Sequence, residues 1–193
     1  MGDFILKNMQ NTNIKKTVNE KELETLKFWN ENNIFEKSVT NPAGKNLNIT
    51  NETEKEEIQS FSFYDGPPFA TGLPHNGHIL AGTIKDAIPR YQTMQGKSVR
   101  RVWGWDCHGL PIENLIEKEL NLNSKKDIEE LGVDVFNKAA ADSVLRFENE
   151  WRQRVPRLGR WVDMDNSYKT MDWTYTESVW WVWKSLIDKG LAY

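Results

Sequence analysis

The stretch FSFYDGPPFATGLPHNGHILAGTIKD, residues 61–86, decides how the rest of the chain is read. Phe61, Phe63 and Tyr64 form a β-favouring aromatic run that predicts a buried strand. Asp65-Gly66-Pro67-Pro68 ends it, because consecutive prolines remove ladder donors and fix φ. Gly72 and Pro74 prolong the irregular backbone, and Ile79, Leu80, Ile84 and Ile88 then give an apolar stripe at helical spacing. His75, Gly77 and His78 therefore stand at the start of a helix that follows a strand. Such a corner offers free backbone N–H groups and the positive end of a helix dipole, which together suit a phosphate.

Outward from this stretch, the helix is expected to reach about Met94, with Pro89 kinking it or ending it early and Gln95-Gly96 closing it. SVRRVW, residues 98–103, predicts a second strand, followed by the turn Gly104-Trp105-Asp106-Cys107-His108-Gly109-Leu110-Pro111. Strand, crossover helix and strand make a βαβ unit, so the fold class is α/β with parallel pairing and a right-handed crossover. Ligands in such sheets bind beyond the carboxyl ends of the strands, where both special turns, 65–78 and 104–111, fall. Downstream the pattern is helical: residues 112–120, then a helix capped by Ser124 and ended at Gly132. Phe136, Ala140, Val144, Phe147 and Trp151 recur at helical spacing, and a last helix is capped by Thr174 or Thr176 and ended by Lys189-Gly190. At the other end, residues 1–19 are polar and read as a flexible N-terminus. Residues 20–60 read as a helix to about Phe35 plus a polar connector from Ser38, and residues 61–193 as the main α/β unit.

The chain has 193 residues, 38% apolar and 27% charged, with a net charge of −3. That mild acidity argues against a broad basic footprint for nucleic acid, although Arg152, Arg154, Arg157 and Arg160 form a local basic run. The single cysteine, Cys107, excludes an intramolecular disulfide and fits a reducing cytosol. No apolar run approaches the roughly 18 residues of a membrane span.

Each candidate side chain has a plain structural reading beside the functional one. His75 and His78 are either surface histidines or N–H donors that stabilise charge growing on a phosphate during transfer. Asp106 either accepts backbone N–H bonds within its turn or binds a cation such as a substrate ammonium. Glu113 is a helix-start carboxylate. Cys107 has only its sequence neighbour His108 as a base, which disfavours a nucleophile. The Cys/His set lacks metal-ligand spacing, so no protein-bound metal is expected. The tryptophans at 180, 181 and 183 read as helix core rather than a base-stacking platform, and the arginines at 146–160 as a solvated or ion-paired face, with RNA backbone contact as the alternative.

These residues resemble the isoleucyl-tRNA synthetases. GPPFATGLPHNGH matches that family's N-terminal catalytic block, with His75-Asn76-Gly77-His78 as the HxGH form of the class I HIGH signature. The match continues through GTIKD, RYQTMQG and GWDCHGLPIE, and more loosely through RWVDMDNSYKTMD. It implies the first half of a Rossmann-type catalytic domain in a ligase that activates isoleucine with ATP and Mg²⁺ and passes the isoleucyl group to tRNA(Ile), in the cytoplasm. Carried over residue by residue, His75 and His78 would contact the phosphates and stabilise the transition state. Gly77 would let adenine lie against the helix start. The Pro67 backbone and the Asp106 carboxylate would hold the substrate ammonium, with Pro67 also walling the side-chain pocket.

Family members are several times longer. They continue into an editing insertion, the second Rossmann half, a KMSKS loop and an anticodon-binding domain, and no KMSKS-like segment occurs here. The chain is therefore expected to be a fragment needing the remainder of the catalytic domain, in the same or another chain. The alternatives are a non-catalytic paralogue that binds a nucleotide or amino acid, and one half of a split synthetase.

Overall fold

The computed structural model describes residues 16–42 and 58–193; the N-terminal residues 1–15 and the body of the polar connector, 43–57, lie outside it. The described chain falls into two units, divided between Ile34 and Phe35. In the first, α1 (Val18–Glu31) begins at a capping box in which Thr17 Oγ1 accepts from Glu20 N at 3.3 Å and Glu20 Oε2 accepts from Thr17 N at 2.7 Å. Two orphan donors of the helix start are thereby satisfied reciprocally. A second helix, α2 (Ile34–Thr40), takes the first residues expected of the connector.

The larger unit runs α3 (Asn76–Met94), β1 (Val102–Trp105), α4 (Leu110–Glu119), α5 (Lys125–Leu131), α6 (Val133–Ser143), α7 (Glu148–Arg157), β2 (Asp163–Lys169) and α8 (Trp173–Asp188). β1 and β2 pair in parallel, with Gly104 opposite Tyr168 and Trp105 opposite Lys169. The expected α/β class holds and the pairing is parallel, but it joins β1 to β2 and not residues 61–64 to 98–103: the first strand does not form, and the second lies at Val102–Trp105 instead of 98–103. Residues 61–64 carry no ladder; isolated parallel bridges flank them, Ser60 to Ser98 and Phe69 to Asp106, and Phe61 N donates to Ser98 O at 2.9 Å. Between the bridges one segment advances nine residues and the other eight, so the register cannot be kept. Asp65-Gly66-Pro67-Pro68 falls inside that interval, where the prolines supply no donors. Phe61 and Phe63 are consequently half-buried and Tyr64 is exposed.

Sequence patterning misses β2 altogether. DMDNSYK is polar and poor in β-branched residues, and it is a strand because β1 offers it a partner. The recurrence from Phe136 to Trp151 is divided between α6 and α7. α8 starts at Asp172 rather than Thr174 or Thr176, while Ser124 and Gly132 bound α5 as expected.

Successive residues of β1 face opposite ways. Trp103 and Trp105 share the inner face and meet Trp151 of α7, with ring centroids 5.8 and 6.2 Å away. Ala70, Cys107, Ile112, Val144, Val155 and Met164 complete this core. Gly104 faces the other way, under the Tyr168 ring.

α3 does not end at Pro89, which is buried inside it. Proline removes one donor, and the half-helix beyond is tied to β1's approach by Arg101, whose Nη2 donates to Pro89 O at 3.1 Å and to Thr93 Oγ1 at 2.5 Å. Arg101 is itself 3% exposed, and burial pushes its pKa down to about 10. Arg101→Met keeps the stem and removes the donors. It is expected to cost about 2 kcal/mol, a fall in Tm of roughly 4–8 °C; an unchanged Tm would show that these bonds contribute nothing net.

The tryptophans at 180, 181 and 183, expected in the core, are 70%, 70% and 53% exposed. No residue of α8 is buried among the described residues, and Ile79, Leu80, Ile84 and Ile88 of α3 are also exposed. Their periodicity is helical, but the surfaces that would cover them are not among the described residues.

Candidate active site

α3 begins with an imidazole where a serine or aspartate is usual. His75 is the N-cap: its Nδ1 accepts from Gly77 N at 3.1 Å, while His75 N donates to His78 Nδ1 at 3.2 Å. The helix start is therefore capped, not bare as the sequence suggests. Since both Nδ1 atoms accept, each neutral ring carries its proton on Nε2 and presents an N–H donor. The rings stack with centroids 3.7 Å apart. A side chain at Gly77 would place its Cβ 3.0 Å from His75 Cε1, so the stacked cap depends on glycine there.

His78 also meets the ring of Trp151 edge-on at 4.9 Å, and Trp151 Nε1 donates to Gly72 O at 2.8 Å. One core tryptophan thus steadies both the second histidine and the glycine-rich loop leading to the first. A small cavity of about 90 Å³, lined by His78, Gly82, Trp103, Trp151 and Arg160 among others, lies behind this pair.

Burial, then the charges of His75 and Lys85, hold the His78 pKa below its ordinary value. Unfolded, the ring takes a proton as pH falls through about 6.5, whereas the folded protein resists. The unfolded state then binds more protons, and stability present above pH ~6.5 is lost as pH falls towards the folded-state value. Lowering pH from about 7.5 to about 5.5 is expected to depress the Tm of the wild type more than that of His78→Gln. Parallel Tm–pH curves would remove His78 from the acid response.

The other half lies at the carboxyl end of β1. Asp106 N donates to Pro68 O at 2.9 Å, so the turn carrying Pro67 and the turn after β1 run side by side, as the two strand-end motifs suggest. The Asp106 carboxylate is half-buried and makes no ion pair or hydrogen bond among the described residues. It does not accept the N–H groups of its own turn. Pro67 beside it is half-buried. His108 is exposed, and Glu113 lies in the first turn of α4. Cys107 is buried, its Sγ 3.4 Å from Trp105 O and its N–H donated to Thr170 Oγ1; burial pushes its thiol pKa up, away from nucleophilic use.

The two halves are linked through Trp151, which contacts His78 and also Trp105, the residue before Asp106. Sequence spacing places Trp151 on a helical stripe but gives no sign of its link to His78. Lys85, seven residues after His78 on the same helical face, was discernible; it binds Asp65 at 2.8 Å. The expected ion-paired reading of the arginines holds for Arg146 with Glu119, Arg152 with Glu148 and Arg160 with Asp65. A larger cavity of about 680 Å³, lined by Phe61, Tyr64, Arg100, Tyr168 and Tyr175 among others, contains none of the expected site residues. Among the described residues no three His, Cys, Asp or Glu side chains are grouped to hold a metal ion, and no helix is long and apolar enough to cross a membrane.

Residues 24–193 match the family described as tRNA synthetases class I (I, L, M and V). The chain is 56% identical over 174 residues to the isoleucine–tRNA ligase of Treponema denticola, covering 90% of this chain and 15% of that protein. It is 52% identical over 180 residues to the isoleucine–tRNA ligase of Protochlamydia amoebophila, covering 93% of this chain and 16% of that protein. The chain thus spans about one sixth of the length of these relatives. The fold is shared with the LeuRS of Agrobacterium radiobacter, solved in a ternary complex with tRNA and LeuAMS, at a TM-score of 0.50 and 24% identity over 88% of this chain and 18% of that one.

Proposed function

The chain belongs to the class I tRNA synthetases, and from that premise we propose that it is the N-terminal part of the catalytic domain of an isoleucine–tRNA ligase. The observation that carries the reading is a pairing: an unpartnered carboxylate, Asp106, stands beside the Pro67 turn, while two stacked imidazoles cap a helix start joined to it through Trp151. One part suits an ammonium and the other a phosphate, both of which an aminoacyl-adenylate carries.

In this reading an isoleucine carboxylate oxygen attacks the α-phosphorus of ATP, its bond to the bridging oxygen breaks, and pyrophosphate leaves with that electron pair. No base is required, because the nucleophile is already ionised. Asp106 and the Pro67 carbonyl hold the ammonium, and Pro67 walls the side-chain pocket. His75 and His78 donate from Nε2 to the phosphate oxygens as charge shifts, without needing to be cationic. Gly77 leaves room for adenine against the helix start. Mg²⁺ arrives with the ATP phosphates, a common mode for that ion. The isoleucyl group then passes to the terminal adenosine of tRNA(Ile).

The domain reading goes with this. In this reading residues 61–193 are the first half of a Rossmann-type fold and residues 20–60 an appended helix with its connector; the flexible lead expected over 1–19 is corrected at its end, where Thr17 caps a helix beginning at Val18, and its residues 1–15 lie outside the described residues. The exposed apolar faces of α3 and α8 support a remainder of the catalytic domain packing there. The cytoplasm, where aminoacyl-tRNA is used, is the proposed location.

Isoleucine-dependent exchange of labelled pyrophosphate into ATP tests the reading. The full-length protein is expected to catalyse it and the isolated 193 residues to catalyse little. A full-length protein that binds ATP yet shows no amino-acid-dependent exchange would instead establish a non-catalytic binding role.

A further inference from the structure

The DGPP turn is held by more than its prolines. The Asp65 side chain is 4% exposed and receives two cations from distant parts of the chain. Lys85 of α3 lies 2.8 Å from Oδ1, and Arg160, from the segment after α7, pairs with Oδ2. Lys85 Nζ also donates to Gly66 O at 2.7 Å, and Tyr168 of β2 donates its hydroxyl to Asp65 O at 2.9 Å. The Arg160 guanidinium is in turn fixed 4.9 Å over the Trp103 ring. Three separate elements thus converge on the residue two places before Pro67.

An ion cluster around a buried carboxylate is an expensive way to gain stability alone, since apolar side chains of similar volume often do as well. What it adds is geometry, because each charge must stay where its partner is. Lys85 stands two turns after His78 on the same face of a rigid helix. The helix that carries the imidazoles at its start therefore grips, through Lys85, the turn that carries the Pro67 carbonyl.

We propose that Asp65, Lys85 and Arg160 form a positioning clamp that sets the Pro67 turn against the His75/His78 helix start, keeping the amino acid's carboxylate in line with the ATP α-phosphate. This rests on the function proposed above. The three residues touch no reacting atom; they act through the turn. Releasing the clamp shifts one substrate relative to the other, and small misplacements of that kind cost a large share of the rate.

The test compares wild type, Lys85→Met and Lys85→Arg in the full-length protein. Methionine keeps most of the stem and removes the charge; arginine keeps the charge. Well below its Tm, Lys85→Met is expected to lose on the order of tenfold to a hundredfold in kcat/KM for isoleucine, with KM for ATP within about twofold, and Lys85→Arg to recover most of the loss. Amide hydrogen exchange at Asp106, whose N–H bonds to Pro68 O, is expected to quicken on the order of tenfold in Lys85→Met, without the same change at Trp151. If Lys85→Met does not fold, Lys85→Gln, which also removes the charge, carries the same expectations. The clamp is overturned if Asp106 exchanges at the wild-type rate in the folded variant, or if the loss falls equally on isoleucine and ATP. A wild type without isoleucine-dependent exchange would sink the functional reading instead, and the amide exchange would still decide the clamp.

Discussion

His78→Ala in the full-length protein is expected to lower the rate of isoleucine-dependent pyrophosphate exchange by about a hundredfold, with KM for ATP changed by less than about threefold. The asymmetry follows from where the proton sits. His78 Nδ1 is occupied as acceptor of the His75 N–H, so Nε2–H is the donor left for a phosphate oxygen. A donor aimed at charge that grows during the reaction is worth more in the transition state than in the ground state, so its loss appears in kcat. His78 also packs on Trp151 and caps His75, so thermal unfolding must accompany the kinetics. Equal losses in rate and ATP affinity would mean that the ring binds ATP without favouring the transition state.

Gly104→Ala is expected to be the most damaging substitution for the fold. A Cβ at Gly104 would lie 2.2 Å from Tyr168 Cζ and 2.5 Å from its hydroxyl oxygen, far inside van der Waals contact. Tyr168 cannot yield cheaply, because its hydroxyl bonds to Asp65 O and its ring stacks on Tyr175 with centroids 5.8 Å apart. Overpacking together with a lost hydrogen bond is expected to cost about 3 kcal/mol, a fall in Tm of roughly 6–12 °C in a chain of this size. Tyr168→Ala should remove most of that penalty when combined with Gly104→Ala, since it clears the space the new methyl needs. If the two changes add independently, the clash is not the cause.

The features that sequence made legible are those fixed by local chemistry. The HxGH helix start, the cap at Ser124 and the stop at Gly132 depend on residues a few positions apart, and each lies where it is expected. The resemblance to the isoleucyl-tRNA synthetases is likewise borne out by the class I family match together with the isoleucine–tRNA ligases it resembles at 52–56% identity. What escaped depends on distant partners. β2 is a polar segment made into a strand by β1, and residues 61–64 are a strand-like segment denied one by the prolines and the uneven spacing of their bridges. Trp151 joins the site from 73 positions beyond His78, which no local pattern can reveal. The tryptophans of α8 show the converse: helical periodicity marks a face to be covered, and says nothing of whether the covering surface lies within the same stretch of chain.

The central claim is that one corner holds an ammonium at Asp106 and Pro67 and a phosphate at His75 and His78. A crystal structure of the full-length protein with a non-hydrolysable isoleucyl-adenylate analogue tests it most directly. The account predicts the analogue's ammonium within hydrogen-bond distance of the Asp106 carboxylate and the Pro67 carbonyl, with its phosphate-mimicking group against the Nε2 atoms of the two histidines. An analogue seated in the larger cavity between Tyr64 and Tyr175, leaving Asp106 and both imidazoles untouched, would contradict it.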